Sequence, residues 1–293
     1  MQPPQSSVHS LLGVVMKKKK IKSVLILSVF FTLCSLGFLA FPNVSNYINQ
    51  QITEDKIDDF KKIDERIVDV YDEETNDPLS LKQAQEKERV DSEGYLIEKH
   101  SDGTTKRISE TPVVFKADLD RLYQDSVKYN ETLKTKQNKL LVNDLAYKAP
   151  SLKLSDYGIY DNVYGYVSVS KIGLNLPIIL GASENSMSLG AAHLTYTSLP
   201  IGGKSTNCVL AGHTGYVGRT FFDYITLLEI GDKVKVTNLW NSLDYSVKDV
   251  KVFSPEQAKA IFISPDKDIL TLFTCIRNSK GEFDRYFVIC ERS

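Results

Sequence analysis

Asp268-Ile269-Leu270-Thr271-Leu272-Phe273-Thr274-Cys275 is an apolar run, rich in strand-forming residues, that ends on a cysteine. Its length and composition suit a buried strand. A strand terminus is a rigid place to hold a nucleophile. On this run alone two readings of Cys275 stay open, a catalytic thiol and a buried core cysteine. Beyond it, Lys280-Gly281 marks a turn and residues 284–290 form the next strand pattern. Upstream, short β-branched or aromatic runs at 164–169, 174–180, 207–211, 234–237 and 244–253 alternate with Gly, Pro, Asn and Asp, and Gly231-Asp232 marks another turn. Six to eight short strands after Pro150, with little helical periodicity, predict an all-β sandwich or a closed barrel. A closed barrel also leaves no exposed edge.

Before Pro150 the texture differs. From 46 to 72 the apolar residues Ile48, Ile52, Ile57, Phe60, Ile63, Ile67 and Val70 recur at steps of three to five among charged neighbours, which predicts an amphipathic helix. Asn76-Asp77-Pro78 breaks the pattern, because proline cannot continue a helix and restrains the residue before it. Residues 94–109 predict a polar hairpin turning at Ser101-Asp102-Gly103, and 116–141 a second helix with Leu119, Leu122, Tyr123 and Leu133 inward. This is a helical and hairpin extension, with its charged faces in solvent.

The first part of the chain carries a membrane pattern. Lys17 to Lys20 and Lys22 precede an uncharged apolar run at 23–41, long enough to cross a bilayer as a helix of roughly 20 residues. The basic cluster places residues 1–22 in the cytoplasm and everything from 42 onward outside. A cleaved signal peptide is the competing reading, but bulky Phe38 stands where the residue three before a cut should be small, and the run is longer than a signal core. The expected layout is therefore 1–22 cytoplasmic, 23–41 transmembrane, 42–150 extracellular extension and 151–293 β domain, at the cell membrane with a single pass.

Charge and cysteine usage narrow the function. With 36 Lys and Arg against 37 Asp and Glu, no strong field points to nucleic acid. Beyond Cys34 in the apolar run, Cys208, Cys275 and Cys290 are three external thiols, so at least one is free or pairs between molecules. No CxxC and no Cys/His pair at metal spacing occurs, and the histidines are His9, His100, His193 and His213. No metal and no cofactor are expected.

A second strand ends on a reactive type, Cys208-Val209-Leu210-Ala211-Gly212-His213. A lone histidine at a strand end is more often structural. In the same small domain as a strand-end cysteine, it can hold a thiolate and later protonate a leaving amine. Arg285, which opens the last strand, is the candidate donor to an oxyanion, with a surface ion pair as the plainer reading. Side chains alternate faces along a strand, so Cys290 points away from Arg285 and Cys208 away from His213. Both are expected in the core. Arg277 shares the parity of Cys275 and rivals Arg285.

These residues resemble the sortases, the surface cysteine transpeptidases of Gram-positive bacteria. Thr271-Leu272-Phe273-Thr274-Cys275 resembles their TLxTC signature, Leu210-Ala211-Gly212-His213-Thr214-Gly215 the context of their histidine, and Arg285 their strand-borne arginine. Leu176-Pro177-Ile178-Ile179, Gly190-Ala191-Ala192-His193 and Thr197-Ser198-Leu199-Pro200-Ile201-Gly202-Gly203 are similar too, particularly to class C. The likeness runs over about 164–292, in the family's order. It implies an eight-stranded closed sortase-type barrel with Cys275, His213 and Arg285 as catalytic residues. Thr274, next to the nucleophile, is expected as substrate-binding, contacting substrate or shaping the oxyanion site, and His193 as substrate-binding at the substrate's edge or else structural. It also implies cleavage of an LPxTG-like sorting signal between Thr and Gly through a thioacyl-enzyme. The fragment then passes to an amine, a pilin lysine in class C or a cell-wall precursor in the anchoring classes.

Departures bear on the class. Class C sortases commonly carry a second, C-terminal membrane helix, whereas the chain ends at Ser293 after its last strand pattern. Many have a lid with an Asp-Pro-aromatic motif. Here Asp77-Pro78-Leu79 lacks the aromatic and Asp156-Tyr157 lacks the proline. Two rival readings share some of these residues. An L,D-transpeptidase matches Cys275-Ile276-Arg277 but not the His and Gly its motif needs before the cysteine. A non-catalytic, membrane-tethered binding barrel has no need of Cys275, His213 and Arg285 together.

Overall fold

The computed structural model describes residues 6–140, 147–254 and 261–293, with only the backbone of 6–24 and 138–140. The first residues of the expected cytoplasmic segment, 1–5, and the expected last helical residue Leu141 lie outside these. Two compact units result, one formed by residues up to 49 with 217–219, the other by the rest.

The first unit is built on helix α1 (Ser6–Lys61), which continues into the second. It includes Pro42 and is the one helix among the described residues long and apolar enough to cross a membrane, with its apolar window unburied. Leu25, Phe30, Leu33, Phe38 and Phe41 are exposed along it.

The helix expected to reach 72 ends at Lys61. Ile63–Arg66 tightens into a 3-10 turn and Ile67–Val68 becomes strand β1. The apolar repeat runs on past the helix, but Ile67 and Val68 pair in parallel with Val114 and Phe115 of β4 (Val114–Phe115). A non-local partner here overrides local periodicity. Between these strands lie α2 (Leu81–Glu86), capped reciprocally by Ser80 and Gln83, and the hairpin of β2 (Ile97–Lys99) and β3 (Thr105–Arg107). Leu79, Leu81, Val90, Val113 and Phe115 give this extension its own small core.

Helix α3 (Lys116–Leu140) buries Leu119, Leu122, Ser126, Asn130, Leu133 and Gln137. These positions recur at steps of three and four, one face of a helix. Leu119 and Leu122 share a core with Tyr164 and Leu199, so the extension packs on the barrel. Polar residues on the same face complete the joint. Asn130 accepts from the Leu199 amide (2.7 Å) and donates to its carbonyl (3.2 Å). Gln137 accepts from the Ile263 amide (2.9 Å).

The rest is all β: β5 (Val163–Val169), β6 (Leu174–Leu180), α4 (Glu184–Met187), β7 (Ala191–His193), β8 (Thr206–Ala211), β9 (Lys233–Asn238), β10 (Ser242–Phe253), β11 (Asp268–Arg277) and β12 (Phe283–Arg292). The strands close into a barrel in the order β10-β12-β11-β8-β7-β6-β5-β9. Val167, Leu176, Leu210, Val236, Leu272 and Val288 fill it, the interior side-chain packing an eight-stranded barrel allows. Cys208 and Cys290 are also inside, each in register with Leu270 but from opposite neighbouring strands. Two strand spacings, about 9.6 Å, separate their backbones, too far for a disulfide. All four cysteines are free thiols.

The order of these strands sets the chemistry. Strand β8 runs parallel to β11 and β12 antiparallel to it. The ends of β8 and β11 and the start of β12 therefore meet at one end of the barrel.

Candidate active site

Cys275 lies on the central strand of the three. The β8–β11 ladder ends with Ala211 opposite Phe273, and the Gly212 amide still donates to the Phe273 carbonyl (3.0 Å). His213 is two residues beyond that pair, as is Cys275. On the other side Cys275 is in direct register with Arg285. Interior positions on β11 are Leu270 and Leu272, so Phe273 and Cys275 face outward, as do their register partners Phe287 and Arg285. The arginine lies over the Phe273 ring at 5.9 Å, and Phe273 stacks on Phe287 at 5.0 Å. Arg277 is held elsewhere: it is exposed, in register with Phe283, and its guanidinium lies over that ring at 5.4 Å.

Thr274 points the opposite way and is 1% exposed. Its hydroxyl donates to the Gly212 carbonyl (2.7 Å), which can only accept, and so accepts in turn from the Thr214 hydroxyl (2.6 Å). The residue expected at the substrate instead ties the strand end that bears the histidine to the strand that bears the cysteine. Gly212 is required at this junction. A Cβ there would sit 2.6 Å from the Phe222 ring, which packs directly over the backbone.

The loop after β8 is also tightly made. Gly215 takes a positive φ of 71°, which glycine tolerates without strain. Asp223 accepts from the Gly215 amide (2.7 Å) and the Phe221 amide (2.8 Å), and the Phe222 amide donates to the His213 carbonyl (2.9 Å). The loop closes aromatic rings around the imidazole. Tyr216 stacks on it at 5.2 Å and 23°, and Phe221 meets it edge-on at 6.2 Å. Sequence reasoning did not find these two residues. Their only signal was aromatic residues soon after a His-Thr-Gly turn.

Electrostatics follow from burial. Partial burial lowers the His213 imidazole below its ordinary value, opposed by the Glu184 carboxylate. Burial raises the Cys275 thiol above its ordinary value, opposed by Arg285. The neutral thiol and the neutral imidazole are thus the favoured forms near neutral pH. Cys275 is nevertheless exposed, whereas Cys208 and Cys290 are buried, with their thiols pushed up, that of Cys290 to about 12.

His193 does not join this group as a surface contact. It is fully buried, with Nε2 near the Ser198 carbonyl (2.9 Å) and Nδ1 near the Ser151 hydroxyl (3.2 Å). Burial lowers its pKa to about 4. A neutral ring that donates from Nε2 and accepts at Nδ1 fits both partners, and no ring nitrogen is left for a peptide. The two segments nearest to a lid motif have partners of their own. Pro78 bridges to Tyr71 and Leu79 is in the extension's own core. The Tyr157 hydroxyl donates to Asp125 (2.8 Å) from a buried ring. Among the described residues no cluster of His, Cys, Asp and Glu could hold a metal.

Comparison with known proteins agrees with this architecture. The sortase domain family matches residues 167–293. Sortase A of Bacillus anthracis is 31% identical over 126 residues, 43% of this chain and 58% of that protein. The chain spans about half the length of the curated relatives it matches. Among solved structures, sortase C-1 of Streptococcus pneumoniae is 30% identical with a TM-score of 0.53, covering 61% of this chain and 91% of that one. A pilus-related sortase C of Group B Streptococcus is 29% identical with a TM-score of 0.52, covering 61% and 90%. Closed barrel, strand order and sequence identity together assign the chain to the sortase family.

Proposed function

We propose that this chain is a membrane-anchored cysteine transpeptidase. It cleaves an LPxTG-like sorting signal between Thr and Gly and joins the threonine carbonyl to an amine, a pilin lysine. The observation that carries this reading is the placement of an exposed Cys275 on β11, between the strand end that bears His213 and the register partner Arg285. Proton transfer from the Cys275 thiol to His213 gives the thiolate, which attacks the threonine carbonyl carbon. Electrons move to the oxygen, where the Arg285 guanidinium stabilises the negative charge. Collapse breaks the C–N bond as the imidazolium protonates the departing glycine amine, leaving a thioester. The acceptor amine then attacks the thioester, passes a proton to the imidazole and releases the cysteine. No cofactor is needed, since no electrons leave the reactants. Thr274 and His193 act behind this machinery as holders of backbone geometry.

The apolar run of α1 would anchor the chain with residues 1–22 in the cytoplasm and the barrel outside, the orientation the lysine cluster favours. The class C sortase structures support the lysine acceptor. A second reading, attachment to a cell-wall precursor amine, is favoured by the sortase A relatives. The full-length chain in detergent micelles, given an LPxTG-type peptide with either a lysine-containing peptide or an oligoglycine-type amine, tests both. Joining to the lysine side chain supports the proposal, joining only to the other amine supports the second reading, and no cleavage at Thr–Gly with either defeats both.

A further inference from the structure

The strand that leads to His213 ends two residues before it, at Ala211, so the backbone ladder does not orient the imidazole. Rotation about the imidazole's Cβ–Cγ bond is broad and roughly two-fold. Neighbouring rings must therefore choose the plane in which its nitrogens lie. Tyr216 lies nearly parallel to the ring (5.2 Å, 23°), Phe221 abuts the imidazole edge-on (6.2 Å, 64°), and the two aromatics meet each other at 5.7 Å and 79°. The backbone that carries them is fastened by Asp223 to the amides of Gly215 and Phe221. Tyr216 is 44% exposed and belongs to none of the hydrophobic core clusters, so it packs on the imidazole without serving the barrel interior.

We propose that Tyr216 is a positioning residue for proton transfer. Its stacked ring, backed by Phe221, holds the His213 plane so that one nitrogen serves both the Cys275 thiol and the leaving amine without reorientation. The inference rests on the reading of His213 as the acid–base group. The ring carries the effect and the hydroxyl does not. The aromatic face also favours the imidazolium that forms during the reaction.

The test uses full-length protein in detergent micelles, labelled with 13C at histidine Cε1, together with LPxTG-peptide cleavage kinetics. There are only four histidines, and the missing signal in His213→Gln assigns the one of interest. Wild type should show a ring-current shift on the His213 signal that Tyr216→Phe keeps and Tyr216→Ala loses. Tyr216→Ala should lower kcat about 10- to 100-fold with KM within about threefold, the scale expected when a reacting group is loosened by about an ångström. Tyr216→Phe should stay within about threefold of wild type in kcat, since the stacked ring remains. Four results overturn the proposal: an unchanged kcat in Tyr216→Ala, a loss confined to KM, a Tyr216→Phe as damaged as Tyr216→Ala, or a His213 signal indifferent to both variants. A wild-type chain that shows the ring-current shift but never cleaves the peptide overturns the functional reading instead, and with it any catalytic role for the stack.

Discussion

Replacing Thr274 by valine keeps the side-chain shape and removes one hydroxyl. In the native chain that hydroxyl donates to the Gly212 carbonyl at 2.7 Å and accepts from Thr214 at 2.6 Å. The two losses differ in weight. Thr214 is exposed and regains a partner from water, whereas Gly212 is buried and its carbonyl loses this donor. A buried group left unsatisfied costs about 1–3 kcal/mol, so a destabilisation of about 2 kcal/mol is expected. For a unit of this size that lowers Tm by about 4–8 °C. Because the same hydroxyl ties the end of β8 to β11, kcat should fall as well, by about tenfold or more as His213 drifts relative to Cys275. Thermal unfolding followed by circular dichroism, paired with peptide cleavage, reads both, and Thr274→Ser should recover most of each. A Thr274→Val protein with wild-type Tm and kcat would refute the argument that this bond couples the two strands.

Other consequences follow from the same geometry. Arg285→Ala should cost about 10²–10³ in kcat, the usual loss for an oxyanion donor, while Arg277→Ala, stacked on Phe283 and exposed, should leave peptide cleavage nearly unchanged. The reverse result would transfer the role to Arg277. The pH profile of kcat/KM should be a broad plateau. Its acid limb lies below the ordinary imidazole value, because burial lowers His213, and its alkaline limb above the ordinary thiol value, because burial raises Cys275. Between the limbs the thiolate fraction rises as the imidazolium fraction falls, so their product is constant. A narrow optimum near neutral pH would contradict this. His193, neutral in the fold with a pKa near 4, makes stability fall as pH drops from about 6.5 to about 4, since the unfolded chain takes up a proton that the folded one refuses. The full effect is about 3 kcal/mol. Denaturant unfolding across that range should lose this slope in His193→Gln.

Much of the barrel is legible from residue patterns, since seven strands fall where β-branched runs between turn residues place them, within two residues at the ends that differ. Strand β7 is not, because Ala191-Ala192-His193 is three residues long with no β-branched residue, and its pairing with Leu180 and Leu210 comes from neighbours remote in sequence. The helix expected over 46–72 is overextended for a related reason: Ile67 and Val68 continue the apolar rhythm while serving a strand. At the site, the residue types at Cys275, His213 and Arg285 stand out in sequence. Their falling at one end of the barrel depends on β8 lying parallel beside β11, a register that no local pattern encodes. Parity correctly sends Cys208 and Cys290 inward. It leaves Arg277 and Arg285 unresolved, and cross-strand register puts Arg285 opposite the thiol. The same strand alternation turns Thr274 into the interior, and the buried bonds of His193 reflect the three-dimensional closeness of Ser151 and Ser198.

The most direct test of the central claim is the intact mass of the full-length chain in micelles after brief exposure to an LPxTG-type peptide without an acceptor amine. The account predicts a covalent adduct with the mass of the fragment ending at threonine, located on Cys275, released by hydroxylamine, and absent in Cys275→Ala with the fold intact. An adduct on another residue, or hydrolysis of the peptide that persists in Cys275→Ala, would contradict it.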